Sequence, residues 1–396
     1  MSTELTTNPP PAAFDLASGA IFAEACTHCG LCLESCPTYT LWGTETDSPR
    51  GRIVQLEDAI ATGGSVSAEL AVHIDSCVAC MACVSACPEG VRYDQLLARG
   101  RVAVEAQREL PAASRLQRRI RLGARVHSGR VRELAGVGAI PYFTQAQGTR
   151  RGRVGLLLGC TQRAAHRPIH LATLGLLAAE GYDVIAPKLP DCCGALDMDS
   201  GRVSAAARHA QATIAAFSAV GGVDHVVISA GGCGAAAKGY GELLATPTAR
   251  AFSALVLDVH ELLTRHEPRA PRGALGLTVA YHESCRLRHG QGVIDAPRAL
   301  LRAIPGLTLV ELGAEAGACC GGAGVYPSRL PQAARELAER QAEVALNSGA
   351  QVVVSGDHAC IGQLRGQLES RGRSLAVHHP VELIWLSVQT ASAHSK

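Results

Sequence analysis

The sequence predicts an α+β multidomain protein: an α-helical N-terminal domain, then two repeated α/β lobes built on parallel sheets. Three observations predict it. Eight of the sixteen cysteines fall within the first 87 residues, as two copies of one run. A strand–helix alternation starts near residue 153 and starts again near residue 276. An arginine-rich stretch separates the N-terminal cysteines from the first alternation. The expected domains are residues 15–100, a basic helical linker over 101–152, and lobes over 153–265 and 276–386.

The first run is Cys26-Thr-His-Cys29-Gly-Leu-Cys32-Leu-Glu-Ser-Cys36-Pro37, and the second is Cys77-Val-Ala-Cys80-Met-Ala-Cys83-Val-Ser-Ala-Cys87-Pro88. Both read C-x2-C-x2-C-x3-C-P, the spacing of bacterial ferredoxins. Three thiolates three residues apart on a tight turn can reach three iron corners of one cube. Small residues such as Gly30 and Ala82 let backbone N–H groups approach the sulfurs. The fourth cysteine sets off in a new direction fixed by its proline. In two-cluster ferredoxins that cysteine serves the other cluster. Cys26, Cys29, Cys32 and Cys87 are therefore expected to hold one 4Fe–4S cluster, and Cys77, Cys80, Cys83 and Cys36 a second. Zinc would favour two separated C-x2-C pairs, which fits these runs poorly.

Forty residues separate Cys36 from Cys77. Pro49–Gly63 reads as a helix with Ile53, Leu56 and Ile60 on one face, and Glu69–Ile74 as a shorter one. A helical two-cluster ferredoxin domain follows. Arg99–Arg153 holds thirteen arginines, no lysine and three acids. Leu116, Ile120 and Leu122 interleave with arginines there. The stretch reads as a solvated linker or as a contact for an acidic partner, with lipid contact a weaker third reading.

Aromatic residues are only 4% of the chain, so its cores must be aliphatic. A net charge of +2 argues against a dedicated nucleic-acid binder. No apolar run approaches the ~18 residues of a transmembrane helix. Met1–Ala20 is polar and lacks the basic start and apolar core of a signal peptide. A cytoplasmic location is expected, where thiols stay reduced and cysteines serve metals or redox work.

In the first lobe, strands are expected at Val154–Leu158, Asp183–Ala186 and His225–Ser229. The helices between them carry Leu171, Leu174 and Leu177, and span Val203–Ala219. In the second lobe, strands fall at Leu277–Tyr281, Leu307–Glu311 and Gln351–Ser355, with helices near Pro297–Ile304 and Pro331–Asn347. Each is a βαβαβ unit. Cys160, Cys192-Cys193-Gly194 and Cys233 recur as Cys285, Cys319-Cys320-Gly321 and Cys360. The intervals are 31 and 39 intervening residues in the first copy, 33 and 39 in the second. Ligands gather at the carboxyl ends of parallel strands, so the four cysteines of each copy can meet at one edge. An iron–sulfur cluster per lobe, a zinc ion, a cluster shared between lobes and buried free thiols all remain open readings. His282, His289 and His358 lie nearby and are not assigned as ligands.

With these residues in view, the sequence resembles the iron–sulfur subunit of bacterial glycolate oxidase (glycolate dehydrogenase), a 4Fe–4S ferredoxin followed by two cysteine-rich CCG domains. The resemblance rests on ACTHCGLCLESCPTY, SPRGRI, CPEGVRY, SAGGCGAAAKGYGELL, CCGGAGVYPS and HHPVELI. It implies an oxidoreductase subunit that is not catalytic alone. FAD sits on separate partner subunits that oxidise glycolate, or D-lactate, to the 2-oxo acid. This chain carries electrons onward to a quinone-type acceptor, an indirect contact at the inner face of the cell membrane. No G-x-G-x-x-G follows a strand, in keeping with a chain that holds no flavin. Lactate and glycerol-3-phosphate dehydrogenase subunits and heterodisulfide reductases share these domains. In the last group a complete CCG domain ends in C-x2-C and cleaves disulfides; here Ala236 and Gln363 stand at those positions. The second copy also departs from its family at Gly356-Asp357-His358-Ala359.

Overall fold

The computed structural model describes residues 14–108, 139–188, 190, 192–312, 318–373 and 375–394. The expected helix around Leu116–Leu122 lies outside the described residues.

The N-terminal domain is helical. Helices Pro49–Ala61, Ala68–Ser76, Ala82–Ala86 and Tyr93–Ala106 pack around Ile53, Leu56, Leu70, Ile74, Leu96 and Leu97, while Pro37–Trp42 sets its Leu41 against the separate cluster of Val78, Cys80 and Leu337. Ser48 caps Pro49–Ala61 by accepting from Gly51 N at 2.9 Å, with Pro49 in the first turn. Gly51 is needed for its size: a Cβ there would lie 1.9 Å from the Glu45 carbonyl oxygen. Arg99 and Arg101 belong to the last helix of this domain and are buried. Arg101 Nη2 donates to Cys77 O at 2.7 Å, so this part of the arginine-rich stretch is core.

The first lobe holds β1 (Phe143–Thr144), β2 (Gly152–Leu156), β3 (Tyr182–Ile185), β4 (His225–Ile228) and β5 (Val256–Asp258) in the order β1-β3-β2-β4-β5. All neighbours are parallel except β1, which pairs antiparallel with β3. The second lobe holds β6 (Thr278–Tyr281), β7 (Thr308–Glu311), β8 (Val352–Val354) and β9 (Ala376–His378) in the order β7-β6-β8-β9, all parallel. Without the β1 edge the two sheets have one topology, as the repeated cysteine spacing implies. Helices Val203–Ala219 and Pro331–Asn347 have the bounds read from sequence. The helix expected near Pro297 begins earlier, at Asp295. Strands β1, β5 and β9 were not anticipated; at two or three residues they are too short to show a period.

The lobes share one apolar core, from Val154 and Leu177 to Val353 and Val381. Each lobe lends its last helix to the other: Val259–Thr264 packs on Asp295–Arg302, and Pro380–His394 on Arg167–Ala179. The second contact is close because Gly175 lacks a side chain. A Cβ there would sit 2.6 Å from the Trp385 indole.

Arg52 ties the N-terminal domain together and is fully buried. Its Nε donates to His73 O at 2.7 Å, and Nη2 donates to Ser76 Oγ at 2.8 Å and Asp47 Oδ1 at 3.3 Å. Both Nη atoms donate to Thr38 Oγ1 at 3.2 Å. Arg52→Met would leave these acceptors buried without their donor. Melting of the purified chain should show a loss of about 3 kcal/mol, against near-neutral exposed substitutions. Burial pushes the Asp47 carboxyl up, but hydrogen bonds from Ser76 and His73 and the Arg52 charge outweigh it and hold the carboxyl low. That stabilisation is complete above the unfolded carboxylate value of about 4 and is lost as pH falls through the lower folded value. An acid titration should show Asp47→Asn flattening the stability loss below about pH 4; an unchanged slope would count against the hub.

Candidate metal centres

In the first cysteine run His28 (φ 55°) and Gly30 (φ 85°) are left-handed. Ala79 (φ 56°) and Met81 (φ 66°) are left-handed at the matching places in the second run. Non-glycine residues rarely adopt this conformation, and here it recurs in register. Alternating backbone of this kind turns successive N–H groups into one concavity, the nest that receives anionic groups, iron–sulfur sites among them. The Gly30 position is thus filled in the second run by Met81, while Ala82 opens the helix Ala82–Ala86.

The runs cross. Cys87 is among the charged neighbours of Cys26, together with Cys29. One cavity is lined by Cys26, Cys29, Cys32 and Cys87, and also by Cys83. A larger cavity of about 440 Å³ is lined by Cys36, Cys77, Cys80 and Cys83, and extends to Cys193 and Arg286. The first set is near the surface: Cys29 is exposed, and Cys26, Cys32 and Cys87 are half-buried. The second set is buried throughout. Burial pushes the Cys80 and Cys83 thiols well up, and neighbouring cysteines add to it. Ionising several buried thiols side by side needs a compensating cationic centre, which suits an iron–sulfur cluster held by four thiolates.

The lobe cysteines also converge. Cys160 opens the helix after β2, Cys233 lies in the helix after β4, and Cys192-Cys193 follow β3. Cys160 Sγ lies 3.9 Å from Cys192 Sγ, and Cys193 contacts Cys192 and Cys233. In the second lobe Cys285 and Cys360 lie after β6 and β8, with Cys285 Sγ 3.6 Å from Cys319 Sγ and Cys320 touching Cys319 and Cys360. The adjacent strand pairs β2–β4 and β6–β8 lie where the strand order reverses, the crevice in which open parallel sheets bind ligands. Each vicinal pair is held by its glycine. Gly194 N and Gly321 N donate to Cys192 Sγ at 3.3 Å and Cys319 Sγ at 3.4 Å. Both glycines are left-handed, and a Cβ on either would lie within about 3.1 Å of helix backbone.

The two lobes differ in burial. Cys160, Cys192 and Cys233 are half-buried, whereas Cys285, Cys319, Cys320 and Cys360 are all buried. The second lobe also faces the N-terminal domain: Val78, Cys80 and Ala82 pack with Cys285, Cys319, Tyr326 and Leu337. Gln363, where a complete CCG domain has its last cysteine, donates to Ala334 O at 3.0 Å. Asp357 accepts from Gly232 N at 2.6 Å and joins the lobes. His289 meets Ser85 Oγ at 2.8 Å, and His358 stands beside His166. His282 is different: its ring lies with Cys320 and Cys360, all three ligand atoms within 4.8 Å of one another. The sequence held a signal for it. His282 lies three residues before Cys285, where the first copy has Leu157 before Cys160.

Comparison with known proteins agrees with this layout. The 4Fe-4S dicluster domain model matches residues 22–91, and the cysteine-rich CCG domain model matches residues 154–238 and 279–365. The chain is 31% identical to the glycolate oxidase iron-sulfur subunit of Escherichia coli (strain K12), over 97% of this chain and 98% of that protein. It is 29% identical to the probable glycolate oxidase iron-sulfur subunit of Bacillus subtilis (strain 168), over 88% and 90%. The lactate utilization protein A of an Exiguobacterium species is 26% identical over 60% of this chain and 99% of that protein. With its dicluster domain, its two CCG lobes and a similarity that runs the full length of both chains, the protein belongs to the family of glycolate oxidase iron–sulfur subunits.

Proposed function

We propose that the chain is the electron-transfer subunit of a glycolate oxidase (dehydrogenase) complex. In this reading FAD-containing partner subunits oxidise glycolate, or D-lactate, to glyoxylate or pyruvate, and this chain passes the electrons toward a quinone-type acceptor. The crossing of the two cysteine runs carries the reading, because it makes two four-thiolate sites from eight cysteines. Cys26, Cys29, Cys32 and Cys87 hold one 4Fe–4S cluster, and Cys36, Cys77, Cys80 and Cys83 the other.

Such clusters exchange single electrons, which is what a two-electron flavin oxidation needs downstream. The protein's part is placement and electrostatics. Cys29 brings the first site to the surface, where a partner's flavin can approach. Val78, Ala82 and Tyr326 pack around Cys80 of the second. The Arg52 guanidinium faces Cys77 and Cys36 and favours added negative charge at that site. Among the described residues no helix is long and apolar enough to cross a membrane, so delivery to a membrane acceptor is through peripheral contact or a partner. The missing last cysteine of each CCG pattern, at Ala236 and Gln363, speaks against a disulfide-cleaving enzyme.

Two outcomes are expected. Iron and sulfide analysis of the purified chain should find about eight of each from the two N-terminal clusters. Any excess iron belongs to the first lobe and should vanish with Cys193→Ser; fewer than eight in the wild type would refute the two-cluster assignment. In the complex with its flavoprotein subunits, Cys29→Ser or Cys80→Ser should leave flavin reduction by glycolate intact and stop onward flow to a quinone analogue. Glycolate turnover with an acceptor dye by this chain alone would sink the proposal.

A further inference from the structure

We propose that His282, Cys320 and Cys360 bind a single zinc-type divalent ion in the second lobe, a site chemically distinct from the thiol-only set of the first lobe. The three ligand atoms lie within 4.8 Å of one another, and among the described residues no other three His, Cys, Asp or Glu side chains come so close. The N-terminal cysteines, read as cluster ligands, make no such group. Thiolates that bind different irons of one cluster must stand apart, whereas ligands of one ion must nearly touch. For a tetrahedral zinc with Zn–S bonds of ~2.3 Å, neighbouring ligand atoms lie roughly 3.5–4 Å apart.

The histidine makes the second, independent observation. His282 is 1% exposed, and at most one of its two ring nitrogens is engaged, by Gln341. Gln341 is its polar neighbour, and Glu283 is the charged group nearest in influence. A buried ring nitrogen left without a partner is costly unless something occupies it. The neutral ring is the form that binds a metal.

The repeat supplies an internal comparison. His282 N donates to Val354 O at 2.8 Å, just as Leu157 N donates to Val227 O at 3.0 Å. The two residues occupy the same place after equivalent strands, β6 and β2. The first lobe has a buried leucine there and no imidazole. Cys319, whose thiol contacts that of Cys320, stands outside this group with its Sγ 3.6 Å from Cys285 Sγ, so the chain supplies three ligands and the fourth position falls to an exogenous donor such as water. Zinc binding displaces the thiol protons of Cys320 and Cys360 to solvent and leaves the neutral ring unprotonated, with no change of oxidation state. A site of this kind pins the strand ends of β6 and β8 to the loop after β7, beside the Cys80 site.

The inference stands apart from the electron-transfer reading and is tested without activity. The full-length chain is purified with its N-terminal clusters intact and analysed for zinc, then stripped of zinc and titrated with Co²⁺. About one zinc per chain is expected, with a Co²⁺ spectrum showing tetrahedral ligand-field bands and thiolate charge transfer. His282→Leu, which copies the first lobe, should weaken metal binding at least about ten- to hundredfold while the reduced-cluster EPR signals persist. His282→Cys keeps a ligand and should retain Co²⁺ with stronger thiolate charge transfer, a change that a merely structural histidine would not produce. Absence of zinc and Co²⁺ uptake from the wild type, an unchanged Co²⁺ spectrum in both variants, or iron in place of zinc at this site would overturn the proposal.

Discussion

The N-terminal domain depends on one buried cation. Arg52 reaches Thr38 two residues after Cys36, and Ser76 one residue before Cys77. The two cysteine runs are separated by forty residues, yet both are fixed to one guanidinium. A buried charge contributes little net stability, because its desolvation offsets much of its attraction. Its use here is geometric: a planar fork with five donors accepts few arrangements. The segment Ser48–Ile53 is built around it. Ser48 caps the helix, Pro49 starts it, Gly51 clears the Glu45 carbonyl and Ile53 enters the core. Arg50 donates to His28 O at 3.1 Å and so braces the first cysteine turn as well.

Around that anchor the chain places local strain where thiols must converge. His28, Ala79 and Met81 take left-handed backbone without being glycine. Such conformations cost about 1–3 kcal/mol each and persist only where the surroundings over-determine them. The glycines after the vicinal cysteines solve a related problem. Gly194 and Gly321 turn the chain at positive φ directly against a helix, where no side chain fits. Both devices aim backbone N–H groups at sulfur, which lowers the cost of charge on the thiols.

Duplication set the architecture of the lobes, and divergence set their chemistry. Strand order and reciprocal helix packing are the same in both, down to the acidic residue that accepts from each final cap: Glu261 from Asp258 N and Glu382 from His379 N, both at 2.7 Å. The cysteines coincide as well. What differs is burial and one residue. The second lobe turns its thiols toward the N-terminal domain and gains His282, while the first keeps Leu157 and stays more open.

The sequence by itself determined the ferredoxin runs, the repeat and the two helices Val203–Ala219 and Pro331–Asn347. These are local properties: ligand spacing is a covalent fact, and a long helix shows its period over several turns. Proline and serine also marked the start of Pro49–Ala61. Short elements were illegible for the opposite reason. Strand β5 owes its three residues to pairing with β4, not to its own pattern. Arg101 read as part of a basic linker, yet it is buried because Cys77 O and the first lobe close over it, with a Gly201 Cβ position only 2.1 Å from its carbonyl. The eight N-terminal cysteines were legible as ligands from spacing alone. That Cys80 stands beside Cys285 and Cys319, and that His282 meets Cys320 and Cys360, only the tertiary structure decided, because packing between distant segments leaves no trace in the spacing of either one.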